Sequence, residues 1–249
     1  MELNFWLGNL SEWLGVVAVV MIAGISPLLK KVRPLTFRYP TREATYALSL
    51  FAVIYIFAFQ FYSGDLFAFL RDFSAVFPGG ELARRMLLAV IALIPFIAAI
   101  ALRGQPVRSM GWQKENLRSG LMVGLLLVVV ILFLRGKFMP LLKGVSPQQA
   151  GLLPVWLVYT FSEETIFRGY IQLRLNSYLG VKWGWLATAG LFLLWQLPGK
   201  LWLFPVDQLW QPVLIAAVQG LLCGWMMKKT GHVVSSAIFR AFSGWILSV

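Results

Sequence analysis

Apolar runs of membrane-crossing length recur along the whole chain, most of them closed by charge. A span needs roughly 17–25 mostly apolar residues to cross about 30 Å of hydrocarbon. Eight stretches are candidates: Trp13–Leu29, Ala44–Gly64, Met86–Leu102, Ser119–Leu134, a run from about Ser146 to Ser162, Trp183–Gly199, Gln208–Met227 and Val233–Val249. Thr41 is a candidate N-cap for the second, and Ser146-Pro147 is a good cap and first-turn pair for the fifth. The stretch Asp65–Phe73 mixes Leu, Phe, Asp and Arg and reads as a short interfacial helix or a loop. Pro78-Gly79-Gly80 makes a turn. No alternation of period two runs through these segments, as a membrane barrel would require. The predicted fold is all-α: one polytopic bundle of about eight transmembrane helices over residues 1–249, with four spans in 1–145 and four in 146–249.

Composition agrees. Apolar residues make up 59% of the 249 and charged residues 13%, against about 45–50% and 25% in soluble domains. The net charge of +12 does not form a continuous basic face, so nucleic acid is not the expected partner. The cations lie between the apolar runs, where they meet anionic headgroups and set topology. The odd-numbered loops hold 13 Lys and Arg, among them Lys30, Lys31 and Arg33, against 7 in the even-numbered loops. The odd loops are therefore expected in the cytoplasm. Cys223 is the only cysteine, which excludes an intramolecular disulfide and a cysteine-based metal site. Trp6, Trp13, Trp183, Trp185, Trp202, Trp210 and Trp245 fall near predicted span ends, as an interfacial belt does. Gly120/Gly124 and Gly220/Gly224 have the spacing that lets helices pack closely within a bundle. Gln219, mid-span in the seventh helix, is a candidate for an interhelical hydrogen bond or for the same cleft as Gln196.

Four ionisable residues sit in or near spans, where charge is costly and therefore functional by default: Glu163, Glu164, Arg168 and Arg240. Glu164 and Arg168 are four residues apart, so they share a helix face and can pair. Glu163 points about 100° away and needs its own partner or a water cavity. Adjacent carboxylates repel unless a cation is near. A carboxylate in such a place suits a general base.

The run Glu163-Glu164-Thr-Ile-Phe-Arg168 resembles the EExxxR motif of the CPBP intramembrane proteases, the CaaX-protease, Abi and bacteriocin-processing group. Phe192-Leu-Leu-Trp-Gln-Leu-Pro198 resembles the second motif, usually FxxxH followed by Leu-Pro. Lys229-Thr-Gly231, leading into a helix with small residues, resembles the approach to the third motif, usually HxxxN. The resemblance covers roughly Ser146 to the C-terminus. It implies an intramembrane endopeptidase in a plasma membrane of bacterial type, acting on a membrane peptide. In that scheme Glu163 activates water, Glu164 and Arg168 support it, and two His and an Asn position the water or bind zinc. Those three positions fall here on Gln196, Arg240 and Gly244.

Gln196 does not titrate and is a poor zinc ligand. Arg240 is permanently protonated and repels a cation. Gly244 has no side chain. His232, the only histidine, stands eight residues before Arg240, about 12 Å along a helix, and reads as a surface or cap residue. No cofactor is therefore expected, zinc included. The leading reading is a catalytically impaired member that serves as a membrane scaffold or binds a membrane partner, with Arg240 and Arg168 neutralising Glu163 and Glu164. An active CaaX-type endopeptidase with Glu163 as base and Gln196 or Arg240 as oxyanion donors is the alternative. A transporter is a third.

Overall fold

A computed structural model describes residues 2–26, 29, 32 and 34–248. Pro27 and Leu28 of the first expected span, and Lys30, Lys31 and Arg33 of the first loop, lie outside the described residues. Among those described there is no strand, and the protein is an all-α membrane bundle. The helices are α1 Glu2–Ile25, α2 Pro40–Ser63, α3 Ala68–Ser74, α4 Glu81–Leu102, α5 Leu117–Leu134, α6 Phe138–Lys143, α7 Pro147–Glu164, α8 Gln172–Leu179, α9 Val181–Leu203, α10 Trp210–Thr230 and α11 Val234–Ile246. Each of the eight expected segments coincides with a helix. Five helical stretches are long and apolar enough to cross a membrane: Trp6–Ile25, Pro40–Ser63, Glu81–Leu102, Lys114–Leu134 and Trp210–Thr230.

Several boundaries differ from the sequence reading. The cap of α2 is Tyr39, with Pro40 in the first turn, so Thr41 lies inside the helix. Proline's fixed φ suits that position. Asp65–Phe67 and Ala68–Ser74 are helical rather than a loop. The fifth segment does not stop at the two glutamates: α7 runs on through a π-helical stretch, Thr165–Ile171, into α8. Its start is as expected. Ser146 Oγ accepts from the Gln149 N–H at 3.2 Å, and Gln149 Oε1 accepts from the Ser146 N–H at 3.1 Å. Such a capping box stabilises a helix by about 1 kcal/mol.

The last segment departs most. α11 has 13 residues, about 20 Å at 1.5 Å per residue, too short to span alone. All of it except Phe242 and Gly244 is buried. It is a core helix, enclosed mainly by α5 and α7. Small residues make that enclosure possible. Gly120 and Gly124 of α5 face the His232 and Ile238 side chains, where an added Cβ would stand 3.1 Å away. This glycine pair therefore packs within the bundle. Trp183, Trp202 and Trp210 are exposed, as a belt requires, but Trp245 is buried and donates to the Gln149 carbonyl at 2.7 Å.

The N-terminal helices divide around the C-terminal ones. α2 and α4 lie against α7, α8 and α9, while α1 packs on α5 and α10. Two buried ion clusters tie the ends of the bundle. At the odd-loop end Glu43 accepts from Arg103, from Gln105 at 2.9 Å and from Arg174 at 3.0 Å, and Arg174 also donates to the Ser109 and Tyr170 carbonyls. At the opposite end Glu12 accepts from Arg135 at 2.6 Å and from Ser243 at 2.5 Å, joining α1, α5 and α11.

Gly169, in the π-helical stretch, meets the Met110 carbonyl so closely that an added Cβ would lie 1.9 Å from the oxygen. Backbone cannot yield that distance cheaply. Gly169→Ala is therefore expected to cost more than about 3 kcal/mol. Gly24→Ala, with nothing within 4 Å of its Cβ, is expected to be neutral or slightly stabilising. Thermal unfolding in detergent compares the two, and equal midpoints would refute the close-approach account.

Candidate functional site

Glu163 and Glu164 close the last turn of α7, and the π-helical stretch follows at once. A π-bulge widens the turn and re-aims side chains, and it is common at functional positions. Both carboxylates are buried. The cation that meets them comes from α11. Arg240 spreads its guanidinium between the two acids, Nη2 donating to Glu163 Oε2 at 2.6 Å and Nη1 to Glu164 Oε1 at 2.8 Å. These are charge-assisted lengths. The planar fork matches two adjacent acceptors in a way that an ammonium does not.

The second oxygen of Glu163 is held from α9. Trp195 Nε1 donates to Oε1 at 2.6 Å, and Gln196 Nε2 donates to the same atom at 2.9 Å. Arg168 takes the other side of Glu164, its Nε 3.4 Å from Oε2, an ion pair without hydrogen-bond alignment. Its two Nη atoms have no hydrogen-bond partner among the described residues. The Phe192 ring lies 4.8 Å from the Arg168 guanidinium carbon and 5.0 Å from that of Arg240. One aromatic ring thus serves both cations, a contact that strengthens where water is excluded.

Five of the six singled-out side chains are therefore brought together: Glu163, Glu164, Arg168, Gln196 and Arg240. Gly244 stands one turn beyond Arg240 and is covered by Trp156, whose ring would stand 2.5 Å from an added Cβ. His232 is not at the site. It is buried rather than on the surface, and it caps α11 by accepting the Val234 N–H on Nδ1 at 3.1 Å. Among the described residues no three of His, Cys, Asp and Glu form a metal-holding group. Beside Glu163 lies a cavity of about 20 Å³, lined among others by Tyr62, Arg85, Tyr159 and Gln196, room for a single water. Gln219 does not line it.

Residues 145–246 match the family model described as type II CAAX prenyl endopeptidase Rce1-like. Across that segment the chain is similar to the CPBP family. The match begins just before the Ser146 cap and ends with α11, so it takes in every member of the ion cluster. It leaves more than half of the chain uncovered. No curated protein and no solved structure matches the chain. The protein is thus an integral membrane protein whose C-terminal segment is similar to intramembrane CAAX endopeptidases.

Trp195 and Phe192 were not among the residues singled out from the sequence, although both lie within the second CPBP motif. Trp195 had a signal: it is the neighbour of Gln196, and buried indole N–H groups find partners. Arg85 and Tyr62 had none, because their place at the site depends on how α2 and α4 pack.

Burial pushes His232 down to about 4, below its unfolded value of about 6.5. As pH falls the unfolded chain takes up this proton first, so stability is lost from about pH 6.5 down to about 4 and then levels off. His232→Asn keeps an acceptor for the Val234 N–H and removes the titration. The unfolding midpoint of the parent is expected to fall more steeply over that range than that of the variant, and parallel slopes would refute it.

Proposed function

We propose that this protein is a non-catalytic member of the CPBP family, a membrane scaffold or partner-binding protein that retains the acidic motif as structure. The observation that carries the reading is the Arg240 fork on Glu163 and Glu164 at 2.6 and 2.8 Å. Glu163 accepts three hydrogen bonds, from Arg240, Trp195 and Gln196. Those bonds fill three of the roughly four acceptor sites of a carboxylate. The donor set also does not fit zinc. A permanent cation stands where the second His is expected, an amide N–H points at Glu163 from the first His position, and the Asn position is a glycine under Trp156. Zinc needs three or four N, S or O ligands free of such a competitor. Loop charge supports cytoplasmic odd-numbered loops.

One observation favours the alternative of an active endopeptidase. The single-water cavity touches both Glu163 and Gln196. In that reading Glu163 removes a proton from the water as its oxygen attacks the peptide carbonyl. Gln196 and Arg240, released from the carboxylate, donate to the oxyanion.

Two measurements separate the readings. The purified chain in liposomes is expected to leave prenylated and unprenylated membrane peptides uncleaved, scored by mass spectrometry. Cleavage that Glu163→Gln abolishes would establish the peptidase instead. For stability, Arg240→Met leaves two buried carboxylates against one cation and is expected to cost roughly 3–5 kcal/mol. Glu163→Gln combined with Arg240→Met keeps the remaining Glu164–Arg168 pair neutral and is expected to recover most of that loss. Additive losses would refute the structural role.

A further inference from the structure

The small cavity beside Glu163 has a mouth, and the position and charge of that mouth are informative. Four helices wall the cavity: Tyr62 comes from α2, Arg85 from α4, Tyr159 from α7 and Gly199 from α9. Tyr62 lies next to the last residue of α2, Arg85 is one turn from the start of α4, and Gly199 is one turn from the end of α9. All three of those helix ends meet even-numbered loops. The Arg85 side chain is 27% exposed, so the cavity opens at that end. Charge there is unbalanced. Deeper in, Arg240 and Arg168 match Glu163 and Glu164. At the mouth the acid is Glu81, already shared by Arg84, Arg85 and Tyr62. Arg85 spends only its Nε on Glu81, at 3.4 Å, and among the described residues neither Nη makes a hydrogen bond. Lys200 follows the wall residue Gly199 and has no acid within ion-pair distance among the described residues. It stands close enough to Arg85 for the two cations to repel.

Neighbouring cations with free donors recognise an oxyanion between them. The geometry narrows its source. The cavity below holds a single water, so the anion stays at the mouth. Helices α2, α4, α7 and α9 stand around that mouth, which shuts out the acyl chains of a lipid and leaves entry from water. With odd-numbered loops in the cytoplasm, as loop charge supports, the mouth faces the other side of the membrane. We propose that it docks an acidic peptide segment of a partner protein on the extracytoplasmic face, with a carboxylate held between Arg85 and Lys200. That the ligand is a partner rests on the partner-binding reading above. The surplus of positive charge at the mouth does not.

The test uses the full chain in dodecylmaltoside, with fluorescent tetraglutamate as probe, tetralysine as control and phosphatidylglycerol as the lipid competitor. Tetraglutamate is expected to bind, and Lys200→Gln to weaken it about tenfold. Lys200→Glu is expected to abolish that binding and to admit tetralysine, a reversal that a merely structural role does not produce. Lys200 is half-buried and has no acid partner among the described residues, so its variants are expected to fold, and Arg85→Gln repeats the test from α4. Sidedness is read with single cysteines, because the native Cys223 is buried. In spheroplasts an impermeant maleimide is expected to label Lys200→Cys and to leave Lys229→Cys, at the odd-loop end, unlabelled. No tetraglutamate binding, equal binding of tetralysine, binding that survives both Lys200→Gln and Arg85→Gln, displacement by phosphatidylglycerol, or the reverse labelling pattern would overturn the proposal. Cleavage of a membrane peptide would instead refute the non-catalytic reading and leave the binding and labelling results standing.

Discussion

Two adjacent carboxylates inside a membrane bundle cannot stand without a cation, and the arrangement of the C-terminal helices follows from where that cation comes from. Coulomb attraction rises as the dielectric falls, and so does the penalty for an unpaired charge. Glu163 and Glu164 diverge around the helix, so a point charge on one side serves only one of them well. The Arg240 guanidinium reaches both because its two Nη atoms are spread in a rigid plane. That requirement puts α11 against α7 at one depth and one rotation. The neighbours comply: Gly120 and Gly124 thin α5 where α11 crosses, and Gly244 lets Trp156 lie flat on the helix beyond Arg240. A one-residue slip of α11 would turn Arg240 away by about 100° and leave both acids unpaired.

The same logic recurs at the two ends of the bundle. Helices in lipid gain nothing from burying apolar side chains against each other rather than against acyl chains, so packing and polar contacts decide their arrangement. Glu43 joins α2 to Arg103, Gln105 and Arg174, and Glu12 joins α1 to Arg135 and Ser243. Three acidic nodes at three depths therefore hold helices from both halves of the chain. The N-terminal helices are bound into the structure by charge, and α1, α2 and α4 surround a core that includes the family segment. Apolar faces that carry no such node, such as Leu125 and Val129 of α5, stay exposed to the bilayer.

Helix type and the places of the long apolar segments were legible because length and hydropathy are summed over some twenty residues and tolerate local error. The Ser146 cap was legible because its chemistry is local. Its rule failed at Thr41, where Pro40 takes the first turn and leaves Tyr39 as the cap. The ion cluster was legible in outline, since buried charges must pair and the motif residues are spaced to do so. What escaped were contributions set by packing between distant helices: Trp195 on Glu163, Phe192 against the two cations, Arg85 and Tyr62 beside the small cavity. The shortness and full enclosure of α11 escaped for a different reason. Its pattern of small and apolar residues suits either lipid or a protein interior, and only the glycines of α5 and the ring of Trp156 decide between them. Glu12 and Glu43 were passed over because each sits near a predicted helix start, where a carboxylate usually meets water.

Arg240, Gln196 and Gly244 are coupled to their neighbours by charge and packing. Arg240 satisfies the two acids only if nothing else occupies the space between them, and Gln196 turns its N–H, not its oxygen, toward Glu163. Beyond Arg240, an asparagine at position 244 would drive its Cβ into the Trp156 ring, so the aromatic cover and the glycine exist only together. A histidine at position 240 would remove the fixed charge and leave Arg168, which reaches only Glu164, at 3.4 Å. Arg240 and Gln196 thus meet on one carboxylate, and Gly244 and Trp156 fit only as a pair.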